Sequence, residues 1–379
     1  MSKSKINTGG ILLLSLFMTA CNSYKSADNL GRELDSILVK EFNADEPGGS
    51  VLVKKGHVTV FLRSYGLADL GTKEKITGNT LFNLGSVSKT FVSNGILILK
   101  ENGKLSLDDS ISMYFDDFKN RDIADKVKIK HLLSHTSGLP DNRDVDNNFE
   151  FFLSAKDEEN FAPIKQADSL NFEPGERFEY SNPAYNGLAL IIEKVTGQQW
   201  QKFITDSIFL PSGMVNSKIT DGPYPQEGVA HGYELKNGRY VESDYGEYPT
   251  FAAAGNGGVW SSVTELAQYE KALEQNIFLG KELTGESRTV FRPANWAGAS
   301  DPFIGYSWFI GEKQFLDQEN RTGVNLIYHN GDQGGFRAFY IVIPEKDILF
   351  IGLFNRPPDD LNKIIMEGIA LLEKNNWLE

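Results

Sequence analysis

Apolar residues recur along this chain at two spacings, helical and strand-like, and together they divide it into three parts. Leu30, Leu34, Ile37, Leu38 and Phe42 repeat every three or four positions, which predicts an amphipathic helix. Val51-Leu52-Val53 and Val58-Thr59-Val60-Phe61 then flank Lys54-Lys55-Gly56-His57, and two β-rich runs around a glycine turn predict a hairpin. Thr90 to Leu99 is nearly all apolar and stops before Gly103, as a buried helix with a glycine stop does. From Leu105 to Pro249 the chain is rich in loops, aromatics and helix-like stretches, and few segments alternate like strands. Strand signals return at Val324 to Tyr328, Arg337 to Ile343 and Ile348 to Phe354, the last two joined by Pro344-Glu345-Lys346-Asp347. Leu361, Ile364, Ile365, Ile369 and Leu372 mark a closing amphipathic helix, with Asp359 or Asp360 as its cap. The fold class this implies is α/β (α+β): one antiparallel sheet built from both chain ends and flanked by helices, with an all-α lobe inserted over about residues 105–249.

The N-terminus carries a different pattern. Lys3 and Lys5 precede an apolar run from Ile11 to Ala20. That run is too short to cross a bilayer, which takes roughly 20 apolar residues, and it suits a signal-peptide core. Met18-Thr19-Ala20-Cys21 resembles a bacterial lipoprotein cleavage box, whose cysteine is lipidated, although Met stands where Leu is usual. The expected layout is a signal peptide over 1–21, a tether over 22–28 and the folded domain over 29–376. An exported protein of the bacterial cell envelope follows, periplasmic or outer-membrane associated and anchored to the membrane through Cys21. The alternative is a plain secretory signal with a chance cysteine. Cys21 is the only cysteine, so no intramolecular disulfide forms and the core must supply stability.

Composition narrows the partners. The 379 residues are 40% hydrophobic and 23% charged, ordinary for a soluble globular protein. A net charge of −13 argues against nucleic acid, because phosphate contacts need clustered Lys and Arg.

Three short motifs carry candidate chemistry. In Ser86-Val87-Ser88-Lys89, positions i and i+3 at a helix start face the same way, so hydroxyl and amine can touch. A serine needs a base to become a nucleophile, and a lysine serves once burial lowers its pKa from about 10.4. Ser2-Lys3-Ser4-Lys5 satisfies the same pattern inside the signal peptide, and a helix cap followed by a solvated lysine is the bland alternative. In Tyr180-Ser181-Asn182, the phenol can share a proton with a lysine and the amide can bond a substrate carbonyl; a core tyrosine beside a turn is the alternative. His329-Asn330-Gly331 ends a predicted strand, where glycine admits a substrate to the strand edge; a structural histidine before a turn is the alternative.

The order Ser-x-x-Lys, Tyr-x-Asn, His-x-Gly resembles the superfamily of class C β-lactamases, D-alanyl-D-alanine carboxypeptidases, D-aminopeptidases and related esterases. Leu81-Phe82-Asn83-Leu84-Gly85-Ser86, His131-Leu132-Leu133-Ser134-His135-Thr136-Ser137-Gly138-Leu139-Pro140, Gly255-Asn256-Gly257-Gly258 and Gly334-Gly335-Phe336-Arg337 extend the likeness from about residue 30 to 375. The resemblance implies a cleft between sheet and helical lobe, in which Ser86 is acylated and Lys89 and Tyr180 relay the proton. It implies that Asn182 holds the substrate amide, that His329 lines the opposite wall, and that the N–H groups of Ser86 and of Asp332, just past Gly331, form the oxyanion hole. The expected substrates are D-amino-acid or peptidoglycan-like peptides, or small esters. A true β-lactamase and a lipid-anchored binding protein without turnover are the alternatives. His329 stands where many β-lactamases carry Lys, which pulls the reading towards peptidase or esterase. Arg337 is either a carboxylate anchor or a structural ion pair. His135 and Ser137 are assigned to a helix-to-loop structure, and His57 and His231 to exposed surface. No metal or other cofactor is expected.

Overall fold

Helix α1 (28–41), strands β1 (Gly49–Lys55), β2 (Val58–Tyr65) and β3 (Phe82–Asn83) and helix α2 (Ser88–Glu101) come first. A helical stretch follows: α3 (Arg121–Lys126), α4 (Ile129–Leu133), α5 (Phe149–Ser154), α6 (Asp157–Lys165), α7 (Asn182–Thr196), α8 (Trp200–Ile204) and α9 (Leu210–Ser212). Next are β4 (Lys218–Ile219), β5 (Tyr233–Lys236), β6 (Arg239–Glu242), the one-turn helix α10 (Ala254–Gly257), β7 (Val259–Ser261), α11 (Val263–Glu274) and α12 (Lys281–Ser287). Strands β8 (Phe309–Gly311), β9 (Leu326–Gln333), β10 (Phe336–Ile343) and β11 (Ile348–Phe354) and helix α13 (Leu361–Lys374) close the chain. This computed structural model describes residues 28–143, 145, 147–242, 252–289, 304–311 and 324–378. Cys21, with the rest of the expected signal peptide and most of the tether, lies outside the described residues.

Both chain ends build one antiparallel six-stranded sheet, ordered β2-β1-β11-β10-β9-β8. Gly49 of β1 and Arg337 of β10 both pair with Phe354 of β11, so the last strand is sandwiched between the first hairpin and the strand before it. Strand side chains alternate between two cores. Val51, Val53, Phe339, Ile341, Ile343, Ile348 and Phe350 face α1 and α13, meeting Leu34, Leu38, Ile365 and Ile369. Leu52, Ala338, Tyr340, Val342, Leu349, Ile351 and Leu353 face the other way, into the core shared with α2, α7 and α11. With both its faces covered, the central strand β11 has no polar position and is buried throughout. Truncating one such side chain to Ala typically costs about 2–5 kcal/mol. Of the two candidate caps for α13, Asp360 does the work, accepting from the Lys363 N–H at 2.9 Å; such a cap contributes about 1 kcal/mol.

The inserted region is helical from Arg121 to Ser212 and also carries the hairpin β5–β6, which alternation does not reveal because each strand has only 4 residues. Its signal is the Asn237-Gly238 turn, with φ of +51° and +74°, the left-handed pair a two-residue hairpin needs.

Two features of the fold make the site. Helix α2 is buried from Ser88 to Leu99 and packs on α7. Strand β8 pairs with β9 only over Leu326–Tyr328, so among the described residues β9 from His329 onward has no sheet partner on that side. Among the described residues no helix is long and apolar enough to cross a membrane.

Candidate active site

Ser86 sits in a single 3₁₀ turn, Gly85–Val87, that leads into α2. Asn83 shapes this turn by accepting the Gly85 N–H at 2.8 Å. Two glycines then lock the turn to the open edge of β9. A Cβ on Gly331 would lie 1.9 Å from the Leu84 carbonyl oxygen, and a Cβ on Gly85, at φ +50°, would lie 2.6 Å from the Asp332 nitrogen. No side chain fits at either position. Their absence brings Ser86 against Gly331 and Asp332, as the sequence motifs require.

Lys89 lies one turn further along the same helix face and is fully buried. Its Nζ is 3.0 Å from Ser86 Oγ and donates to the Asn256 carbonyl oxygen at 2.8 Å. Desolvation pushes its pKa well below the ordinary lysine value, and the Arg143 charge adds to the shift. A neutral amine has two N–H donors and one lone pair. With one donor on Asn256, the lone pair is available to the Ser86 hydroxyl.

Tyr180 comes just before Ser181, the N-cap of α7, whose Oγ accepts the Ala184 N–H at 3.3 Å. Its phenol hydrogen-bonds the Ser86 hydroxyl, and its ring centre lies 5.1 Å from Lys89 Nζ. Burial pushes the phenol pKa up, and the Ser86 bond opposes the rise. Tyr180 is 37% exposed, and its resting phenol is neutral.

His329 faces the serine from β9, 2% exposed. Its Nδ1 lies 2.6 Å from the Asn330 carbonyl oxygen, which can only accept, so Nδ1 carries the proton and Nε2 is an acceptor. Burial, with Lys89 nearby, pushes its pKa down to about 3, so the ring is neutral. Ser86, Tyr180, Phe309, Tyr328, His329 and the Gly331–Asp332 edge line a cavity of about 530 Å³, which Leu361 at the start of α13 also borders. Asn182 opens α7 half-buried and is not among the residues lining this cavity.

Arg337 also borders the cavity, and the structure decides between its two expected roles. It pairs with Asp332 at 2.7 Å and donates to the Gly334 and Phe336 carbonyls at 2.8 and 2.7 Å. His57 is exposed as expected. His231 is not: it is half-buried, stacked on Tyr224 at 5.3 Å with its Nδ1 2.7 Å from Glu242, because the β5–β6 hairpin folds over it.

One residue set aside on sequence grounds belongs to the site. His135 is 1% exposed and adopts φ +55°, an uncommon conformation for a non-glycine residue. Its Nδ1 accepts the Ser181 N–H at 3.0 Å, and its ring stacks on Tyr180. The signal was the His-Thr-Ser-Gly-Leu-Pro segment itself, which lies far from Tyr180 in the chain. Among the described residues no cluster of three or more His, Cys, Asp or Glu side chains is placed to hold a metal ion.

This fold, with its cleft between sheet and helices, defines a serine hydrolase of the β-lactamase and penicillin-binding-protein superfamily. A family model described as Beta-lactamase matches residues 37–371, and the chain belongs to that family. It is 28% identical over 329 residues to penicillin-binding protein 4* of Bacillus subtilis, covering 82% of this chain and 68% of that protein. The chain spans about two thirds of the length of the curated relatives it matches, 68% and 65% of the first two. Among solved structures, an octameric penicillin-binding protein homologue from Pyrococcus abyssi superposes with a TM-score of 0.75 at 28% identity, over 90% of this chain and 77% of that one. The D-amino acid amidase of Ochrobactrum anthropi shares the fold, with a TM-score of 0.74 at 22% identity over 93% of this chain and 99% of that one.

Proposed function

We propose that the chain hydrolyses amide or ester bonds through an acyl-enzyme on Ser86, with D-amino-acid amides, peptidoglycan-like peptides or small esters as substrates. The observation that carries this reading is Lys89: fully buried, resting on a backbone carbonyl, with its nitrogen 3.0 Å from Ser86 Oγ. Lys89 takes the Ser86 proton as Oγ bonds the substrate carbonyl carbon, and the carbonyl π pair moves onto oxygen. The N–H groups of Ser86 and Asp332 receive that oxyanion, a role in which each donor is worth on the order of 10²–10³ in rate. As the oxyanion collapses, the bond to the leaving nitrogen or oxygen breaks, and the leaving group takes the proton from Lys89 by way of the Tyr180 hydroxyl. Water then adds to the ester, giving one proton to the relay, and the acid departs as Ser86 regains its own.

Charge at the cleft favours the neutral members of this class, D-amino-acid amides and small esters, over carboxylate-bearing peptides and β-lactams. Among the described residues lining the cavity Arg337 is the only cation, and Asp332 neutralises it, while His329 is uncharged. A substrate carboxylate therefore meets no free positive charge there, and neutral amides and esters suffer no such loss. The test is a panel of D-aminoacyl anilides, p-nitrophenyl esters, D-Ala-D-Ala peptides and a chromogenic cephalosporin, run on wild type and Ser86→Ala. Turnover of anilides or esters that vanishes in the variant supports the reading. Cephalosporin turnover above all other substrates would instead make the protein a β-lactamase. Peptide binding with no turnover of anything would make it a binding protein.

We also propose that the protein is exported and lipid-anchored at Cys21. Incorporation of labelled palmitate that is lost in Cys21→Ala is the expected result.

A further inference from the structure

We infer that Asp157 is a positioning residue for Lys89, holding one end of a buried chain of amides, Asn186 then Asn256, that sets where the Asn256 carbonyl grips the lysine amine. This rests on the reading of Ser86 and Lys89 as nucleophile and base.

Asp157 opens α6 and is 7% exposed. Its carboxylate accepts from Trp200 Nε1 at 2.9 Å, from Asn186 Nδ2 at 2.6 Å and from the Gly255 N–H at 2.8 Å. All three donors are neutral. A buried carboxylate without a cation is expensive, and it is tolerated here because three donors satisfy it. What the carboxylate adds is direction. When ionised it only accepts, so Asn186 must turn its NH₂ group towards Asp157 and its oxygen towards Asn256. Asn256 Nδ2 donates to that oxygen at 2.9 Å, and the backbone carbonyl of the same Asn256 takes the Lys89 N–H at 2.8 Å.

The backbone is pinned alongside. Gly255, bonded to Asp157 directly, is the residue before Asn256, and a Cβ there would meet Ala189 Cβ at 2.9 Å and the Tyr185 carbonyl oxygen at 3.0 Å. Only glycine lets α10 approach α7 this closely. Asp157 thus ties α7, α8 and α10 to one carboxylate, and α10 delivers the carbonyl that seats Lys89. The charged or titratable groups facing Lys89 are Arg143, His135, His329, Tyr180 and Tyr185, and Glu193 faces Asp157.

The experiment is the second-order rate at which a fluorophosphonate labels Ser86, measured against pH in wild type, Asp157→Asn and Asn256→Ala, with thermal unfolding and steady-state kinetics alongside. Both variants are expected to label more slowly, by on the order of 10²-fold for a misplaced base, with kcat carrying the loss and KM unchanged. The acid limb of the profile is expected to move to lower pH, because an amine whose carbonyl acceptor is displaced holds its proton less well. Labelling of folded Asp157→Asn at the wild-type rate, with the acid limb unmoved, overturns the proposal. If Asp157→Asn does not fold, Asn256→Ala decides: it keeps the backbone carbonyl and loses only the amide link, and wild-type behaviour in it is equally fatal. A wild-type protein that fails to label at Ser86 would instead refute the underlying assignment of nucleophile and base.

Discussion

The imidazole of His135 lies face to face with the phenol ring of Tyr180, their centroids 4.3 Å apart and their planes 28° from parallel. The same imidazole accepts the N–H of Ser181, so one residue fixes both the ring of Tyr180 and the backbone beside it. His135→Ala is expected to cost about 1–3 kcal/mol of stability, for the N–H left unpartnered, and to lower kcat more than it raises KM. His135→Asn, which tolerates a left-handed backbone and offers an amide oxygen to Ser181, should recover part of both. Wild-type kcat in His135→Ala would show that Tyr180 needs no such support.

Lys89 is the next test. An arginine keeps its proton at any accessible pH and cannot act as a base. Lys89→Arg should therefore abolish measurable acylation while the protein remains folded. In wild type, the acid limb of kcat/KM should fall well below the ordinary lysine range, since burial depresses the amine. An acid limb near 10 would mean that Lys89 rests as an ammonium and is not the base.

Asp332 cancels the charge of Arg337 while leaving its own side chain 71% exposed. Asp332→Ala keeps the backbone N–H next to Gly331 and releases the guanidinium. Substrates bearing a carboxylate should then show a lower KM, and neutral esters should be unaffected. Parallel KM measurements on a charged and an uncharged ester decide it; equal responses would show that Arg337 does not face the bound substrate.

Stability should decline on mild acidification. Burial holds His329 down to about 3 and His131 to about 4, against about 6.5 in the unfolded chain. Because the folded values are depressed, the unfolded state binds more protons between those limits. The stabilisation is complete above pH 6.5 and is lost as pH falls towards the folded values. Asp157, raised to about 6 by burial, has the opposite sign and offsets part of the loss between about pH 6 and 4. Each unopposed histidine contributes about 1.4 kcal/mol per pH unit. Denaturant unfolding from pH 7 to 4.5 should show the slope, and His329→Gln should flatten it; an unchanged slope would remove His329 from the account.

Much of this was legible in the chain itself, for identifiable reasons. Strands β1, β2, β10 and β11 announce themselves because their Val, Ile, Leu and Phe runs are bounded by turn residues. Strand β8 does not, being 3 residues long. Ser86, Lys89, Tyr180 and His329 each stand in a short motif, and the fold gathers all four around one cleft. His135, Asp157, Asn186 and Asn256 were not selected. Their contributions lie in the aim of a ring face, an amide or a backbone carbonyl, and no spacing rule encodes such directions between α4, α6, α7 and α10.

The pairing of Gly49 with Phe354 has a consequence for the order of events in the life of the chain. Strand β11 joins residues separated by most of the polypeptide, and contacts of such long sequence separation form slowly. The edge of β9 that meets Ser86 depends on β10, which in turn depends on β11. A ribosome that has delivered Ser86, Lys89 and even Tyr180 has therefore made no hydrolase, because the floor of the cleft is still unsynthesised. The cleft is complete only once β11 has been made, so a chain that stops before Phe354 lacks the edge that faces Ser86.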